Sequence, residues 1–170
     1  MSQATKESLL SQAELKELLH YDPETGEFTW LVSNSNRVKV GDIAGCINKL
    51  DYRTIAINRK IYLAHRLAFL WMTEAFPENM VDHINHDKSD NRWENLRPAT
   101  RAENKRNTWK QSNNTSGFKG VYFNKGVGKY VAHVTVNGAK KYLGCFTSPE
   151  EAYQARCCAE DEYYGEFANY

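Results

Sequence analysis

Nowhere does this 170-residue chain approach the roughly 18 consecutive apolar residues that a membrane-crossing helix needs. Its polar start, MSQATKESLL, lacks the basic and then apolar run of a secretory leader. A cytoplasmic protein with no membrane partner is expected. Cysteine is scarce: Cys46, Cys145, Cys157 and Cys158 include no C-x2-C pair, and the adjacent two cannot readily bridge each other. Reduced thiols packed as small hydrophobes are the reading. Core-forming aliphatics are thin as well, with hydrophobic residues at 41% and mean hydropathy -0.68, which speaks against a lone large-core enzyme. The length suits one large domain or two small ones. Aromatics are plentiful by contrast, with four Trp, ten Tyr and seven Phe, and they exclude disorder throughout.

The net charge of +1 conceals a strong segregation. Between Arg97 and Lys141 there are ten basic residues and one acid, Glu103, a net of +9, and the rest of the chain carries -8. Positive charge confined to one contiguous stretch is the footprint of a polyanion binder, since neutralising phosphates supplies much of nucleic-acid affinity.

Local patterning gives an α+β organisation. Ser11 and Glu14 form a capping box, with Leu10 and Leu15 as a hydrophobic staple, and start a short helix that runs to about His20. The turn YDPETG follows, and then EFTWLV, GDIAGCI, YRTIAI and KIYLA read as short strands of a small antiparallel sheet. Leu67, Leu70, Trp71 and Phe76 recur at helical period over His65 to Ala75, closed by Pro77. Thr100 and Glu103 make a second capping box, which starts a helix at Arg101 and places Asn104 in its first turn. KQSNNTSG is a polar linker. Beyond it, GVYFN, KYVAHVTV and KKYLGCF read as three strands. A helix capped by Ser148 follows, with Pro149 at N1 and Glu151 completing the box. Its small face carries Ala152, Ala155, Ala159 and Tyr163. The segments expected are 1–64, 65–109, a linker at 110–117, and 118–170. The first serves as an extra DNA-contact surface or as a brace.

The stretch VDHINHDKSDNRWENLRPATRAENKRN differs in kind, being rich in Asn, His and Asp and poor in core aliphatics. Asp82-His83 is followed by Asn95 after 12 residues and by Asn104 after nine more. With AHRLAF upstream, this text resembles the HNH nucleases over about His65 to Asn107. In their ββα-metal fold, two strands and a helix hold one divalent metal against the scissile phosphate. The resemblance implies Asp82 as metal ligand, His83 as general base, Asn95 as a brace of the loop, and Asn104 as the second metal ligand. His86 and Asn91, in the intervening loop, and His65, ahead of the helix, are read as structural.

Elementary chemistry points the same way. Phosphodiester hydrolysis needs an activated water and a Lewis acid for charge developing on the leaving oxygen. Oxygen donors from Asp82 and Asn104 suit one Mg2+ or Mn2+ ion, and zinc is less favoured without thiolates. Neutral imidazole is available near neutral pH for general-base work. Neighbours on an extended strand face opposite ways, so Asp82 and His83 can serve one site together only if the strand is distorted there.

From Gly117 onward, Lys119-Gly120-Val121, Tyr130-Val131-Ala132, Tyr142-Leu143-Gly144-Cys145-Phe146 and Glu150-Glu151-Ala152 resemble the AP2 domain, a three-stranded sheet on one helix whose sheet enters the DNA major groove. Where many AP2 domains carry Arg and Trp, this chain has Lys119, Tyr122, Asn124, Lys129, His133, Thr135, Lys140 and Tyr142, which implies binding with a different sequence preference. Arg101 and Lys105, after the second capping box, join the expected contact set. Residues 117–146 hold five Lys and no acid, whereas 147–170 hold six acids and one Arg, so the strands face phosphate and the helix faces away. Alternation sends Lys129, Val131, His133 and Thr135 to the contacting face. The two resemblances together imply a homing-type, site-directed endonuclease of the kind found in phage genomes. It would nick duplex DNA as a monomer or weak dimer, in the host cytoplasm if phage-encoded. The competing reading is a non-catalytic DNA-binding regulator.

Overall fold

The computed structural model describes residues 7, 9–33, 37–106 and 114–168. Most of the expected linker, 110–113, lies outside the described residues. The chain divides into two compact units, Met1–Asn104 and Lys105–Tyr170. Both mix helices with small antiparallel sheets, the α+β class that the patterning predicts. Among the described residues no helix is long and apolar enough to cross a membrane.

In the first unit, helix α1 (Gln12–Leu18) is capped as predicted: the Glu14 amide donates to Ser11 Oγ at 3.2 Å, and Leu15 is fully buried. Strands β1 (Leu19–Tyr21) and β2 (Phe28–Trp30) pair around the YDPETG turn. Strands β3 (Cys46–Ile47), β4 (Arg53–Ile57) and β5 (Lys60–Leu63) form a second sheet, so the single sheet suggested by sequence is two. Helix α2 (Ala64–Thr73) follows without a break. It ends two residues before the expected Ala75, because Glu74 turns left-handed at φ 64° and Thr73 Oγ1 donates back to the Phe69 carbonyl at 2.8 Å.

Strands β6 (Met80–His83) and β7 (Leu96–Ala99) make an antiparallel pair, and helix α3 (Arg101–Arg106) follows directly. The capping box that starts α3 is closed on both sides, with Glu103 N donating to Thr100 Oγ1 at 3.3 Å and Thr100 N to Glu103 Oε2 at 2.7 Å. One core unites α1, β1, β2, β4, β5, α2, β6 and β7. Leu15, Leu19, Tyr21 and Phe28 pack in the same cluster as Ile55, Leu67, Val81 and Leu96. Segments 1–64 and 65–104 therefore share a single hydrophobic interior, and the N-terminal segment is built into the unit that carries β6 and β7.

The second unit is βββα: β8 (Val121–Asn124), β9 (Lys129–Val136) and β10 (Ala139–Phe146) in the order β10-β9-β8, with helix α4 (Pro149–Tyr164) on one face. Ser148 caps α4, accepting from the Glu151 amide at 3.1 Å. Val121, Ala132 and Ala152 form the centre of its core, with Phe118, Tyr130, Leu143, Phe146 and Tyr153 around them. The buried face of α4 differs from the expected one. Arg156 and Glu160 are buried beside Ala152 and Ala159, while Tyr163 is exposed. Arg156 pairs with Glu160 and donates from Nη1 to the His133 carbonyl at 2.8 Å, so a buried ion pair rather than small side chains joins this turn to the sheet. Gly120 permits the approach, since a Cβ there would lie 1.8 Å from Arg156 Nη1, and its φ of +69° favours glycine in any case.

Candidate active site

The pair β6–β7 positions the chemistry. Its register sets Asp82 opposite Arg97 and His83 opposite Leu96, and the strand ends at His83 in a turn closed by the His86 amide on the His83 carbonyl at 3.0 Å. Asp82, His83, Asn91 and Asn95 are all buried, the last two within the loop that joins the strands. Such a concentration of buried polar groups is costly unless each is bonded.

Asn95 carries much of that bonding. Its Oδ1 accepts from the Asn85 amide at 2.9 Å, and its Nδ2 donates to Asn85 Oδ1 at 2.9 Å and to the Asp90 carbonyl at 2.8 Å. Its own carbonyl accepts from the Ile84 amide at 3.0 Å. The side chain therefore ties together the two ends of the loop that follows His83, the bracing position that the sequence reading gave it.

Asp82 and His83, neighbours at the end of β6, take different partners. Asp82 Oδ2 accepts from Arg97 Nε at 2.9 Å and lies 2.8 Å from Nη2, a fork-like grip inside the unit. The His83 ring packs edge-on against His65 at 5.0 Å between centroids and lies 6.0 Å from Tyr52. Its Nε2 is 3.4 Å from Asn91 Oδ1. Because Asn91 Nδ2 donates to the Ser89 carbonyl at 2.9 Å, its Oδ1 is the atom turned to the imidazole. An amide oxygen only accepts, so the proton of neutral His83 sits on Nε2 and Nδ1 is the basic nitrogen. Burial lowers the His83 pKa from its ordinary value, opposed by the Asn91 bond and by the charges of Asp82, Asp90 and Asp87. His65 is depressed further, to about 3, by burial first and then by His83 and Arg66. Both rings are neutral at physiological pH, and the site holds two imidazoles without holding two charges.

Asn104 lies half-buried in the first turn of α3, its amide donating to the Thr100 carbonyl at 3.0 Å. Asp82 and Asn104 offer oxygen, a hard donor set. Among the described residues no group of three or more His, Cys, Asp or Glu is arranged to hold a metal. Residues supplying only one carboxylate and one amide oxygen fit a cation that keeps several waters and draws its other oxygens from phosphate, the behaviour of Mg2+ or Mn2+.

Four residues outside the expected set complete the site. Arg97 was legible only as part of the basic stretch, and its role depends on the register of β6 and β7. Asn91 and His65, read as structural, are the neighbours of His83. Tyr52 had no local signal, because it precedes β4 and reaches His83 only through the fold. The N-terminal segment acts as a brace: Tyr21 donates its hydroxyl to the Asn91 carbonyl at 2.7 Å, and the Trp93 amide donates to the Pro23 carbonyl at 2.9 Å.

The expected DNA-contact residues are distributed unevenly. In the second unit Tyr122, Val131, His133, Lys140 and Tyr142 line one cleft on the face of the sheet away from α4. Asn124 and Lys129 are register partners at the end of β8 and β9, and Thr135 pairs with Lys140. Lys119 instead sits half-buried in the fields of Glu160 and Arg156, on the helix side. In the first unit Arg101 is exposed on α3, and the side chain of Lys105 lies outside the described residues.

No curated protein matches the chain. A solved structure described as "DNA binding and cleavage by the HNH homing endonuclease I-HmuI" is 22% identical, with 85% of this chain and 76% of that chain covered and a TM-score of 0.41. The stretch from β5 through α3, residues 62–106, which contains His65, Asp82, His83, Asn91, Asn95, Arg97 and Asn104, matches the family of HNH endonucleases.

Proposed function

We propose that the chain is a metal-dependent, homing-type DNA endonuclease that nicks duplex DNA, its second unit acting as an AP2-like anchor on the target. The observation that carries this reading is the setting of His83. It is a buried imidazole with its Nε2 proton directed to Asn91, on a strand whose preceding residue is a carboxylate, within the stretch that matches the HNH endonucleases.

In this mechanism His83 Nδ1 takes the proton from the attacking water. Asn91 keeps the other nitrogen protonated, and the edge of His65 fixes the plane of the ring. Asn95 holds the loop so that His83 does not retreat on charging. Asp82 and Asn104 would hold the divalent ion, which supplies charge neutralisation at the scissile phosphate and the leaving 3' oxygen. Burial of the pair β6–β7 excludes bulk water and strengthens each of these interactions. One such site per chain makes a single-strand nick the expected product.

The test is cleavage of supercoiled plasmid with Mg2+, with Mn2+ and with EDTA, alongside His83→Ala. Metal-dependent relaxation lost in the variant establishes the reading. Asp82→Ala and Asn104→Ala should each abolish cleavage and spare binding.

A second reading, a non-catalytic DNA-binding regulator, is favoured by one observation: Arg97 already occupies Asp82 Oδ2. Metal-independent DNA binding with no cleavage of any duplex, including targets recovered by selection, would support it.

A further inference from the structure

We propose that the cleft on the helix-free face of the C-terminal sheet reads thymine in duplex DNA through its 5-methyl group. The inference rests on the DNA-directed reading above and adds the base that the second unit recognises.

The cleft has a volume of about 210 Å3 and is lined by Tyr122, Val131, His133, Lys140 and Tyr142. Register explains how residues from three strands meet. Tyr142 on β10 is paired with His133 on β9, and Val131 on β9 with Tyr122 on β8. The central strand therefore supplies the floor, and each edge strand supplies a tyrosine wall. Tyr122 meets His133 edge-on at 5.9 Å. Alternation sends Tyr130, Ala132 and Val134 to the other side, where α4 covers the sheet.

Two features mark this face as a binding surface. Tyr122 and Tyr142 are 46% and 66% exposed, so their rings are not there for the core of the unit. Lys140 lines the cleft and no acid does, which fits a polyanion and not an apolar or cationic partner.

The lining then selects among bases. Adenine is read in the major groove by Asn or Gln, cytosine by an acid, and guanine by Arg or Lys in bidentate contact, whereas thymine offers a methyl group to apolar surfaces and an O4 acceptor. The cleft holds no Asn, Gln, Arg, Asp or Glu. It has two tyrosine faces, a valine and an imidazole. Burial, Lys140 and Arg156 lower the His133 pKa, so that ring is neutral and presents an apolar face with one N–H donor. Lys140 is the one group able to take guanine, and its position on an edge strand opposite Thr135 suits a phosphate instead.

The experiment uses the full chain as His83→Ala, so that DNA stays intact. Duplexes are enriched from a random-core pool by binding, and the recovered sequence is resynthesised with deoxyuridine replacing each thymine in turn, a change that removes only the methyl. The expected result is a three- to five-fold loss of affinity at one or two thymines, the effect of exposing one buried methyl. Tyr142→Ala should erase the difference between thymine and uracil, and Tyr142→Phe should retain it. Binding that no thymine-to-uracil change alters would overturn the proposal and leave the endonuclease reading standing. A loss on 7-deazaguanine substitution with none on uracil would also overturn it, assigning the cleft to guanine through Lys140. No duplex bound at all would overturn it together with the DNA-directed reading.

Discussion

Arg97 grips Asp82 through two nitrogens at 2.9 and 2.8 Å, both on Oδ2, across the register of β6 and β7. The pair is shielded, with side-chain exposures of 14% and 3%. Removing one partner of a buried pair strands the other charge and costs about 3 kcal/mol or more. Arg97→Met should therefore destabilise the first unit by about that amount in urea denaturation, and Asp82→Asn combined with it should recover most of the loss. Millimolar Mn2+ should stabilise Arg97→Met more than the unchanged protein, because a cation at Asp82 takes over the lost guanidinium's role. Equal stabilisation of the two would separate Arg97 from the metal site.

His65 and His83 predict an acid-sensitive first unit. Both pKa values are lowered in the fold, His65 to about 3, whereas an unfolded imidazole titrates near 6.5. Between those values the unfolded chain binds protons that the native state refuses, so stability is full above about pH 6.5 and falls as pH drops toward 3. The slope is up to about 1.4 kcal/mol per pH unit for each histidine. Chemical denaturation from pH 7 to 4.5 should show this decline, and His65→Phe should make it shallower. The acid limb of cleavage should lie below the usual imidazole range, since His83 stays neutral there. A limb at or above pH 6.5 would contradict the burial of His83.

Asn95 and Asn91 separate bracing from tuning. Asn95→Ala removes three side-chain hydrogen bonds made by a buried side chain and leaves the Asn85 amide without its partner. A loss of about 2 to 3 kcal/mol in stability is expected, with cleavage falling in parallel. Asn91→Ala removes the acceptor that fixes the His83 tautomer, so kcat should fall about ten-fold or more with little change in KM. The acid limb of the pH profile should also move down, because the Asn91 bond raises the His83 pKa. A shift in the opposite direction would refute the tautomer assignment.

The clustering of Asp82, His83 and Asn95 at the end of β6 and its loop was legible because they lie on one continuous polar stretch, where spacing along the chain follows from strand and loop. The βββα order and all three capping boxes were legible for the same reason: each depends on residues at most a few positions apart. What could not be read depends on register or on distant segments. Tyr52 reaches His83 from beyond another sheet, and Arg97 finds Asp82 only once β6 and β7 pair. On β10 the register slips between Tyr142 and Gly144, so simple alternation along KKYLGCF assigns faces correctly only up to Tyr142. The burial of Arg156 and Glu160 could not be read from a helix pattern that favours alanines, because it depends on the His133 carbonyl and the open space at Gly120.

Gly26 is the point at which the N-terminal segment meets the loop of the site. Its φ is +75°, and a Cβ there would lie 2.4 Å from both the Asn91 carbonyl carbon and the Arg92 amide nitrogen, backbone atoms that cannot swing aside. Gly26→Ala should therefore cost about 2 kcal/mol or more, from strain at positive φ and from displacement of the Asn91 segment. Because Asn91 is bonded to His83, cleavage should fall further than the lost stability explains at a temperature where the variant is still folded. Glu24→Ala, in the same turn and exposed, should have a small effect on both.

Lys140 and Lys141 are adjacent in sequence, yet the fold gives them different tasks. Lys140 lines the cleft on the helix-free face, while Lys141 lies over the Tyr163 ring of α4 at 4.4 Å. Each phosphate contact contributes about 0.9 to the slope of log K against log salt on duplex DNA. Lys140→Ala should reduce that slope by about one and weaken binding most at low salt. Lys141→Ala should leave the slope unchanged and cost only the cation–π contact, about 0.5 to 1 kcal/mol of stability at an exposed site. Equal slope changes for the two would mean that DNA wraps the edge of β10 instead of lying on one face of the sheet. The reverse order would place the DNA-contacting surface on the helix side, where Lys119 also lies.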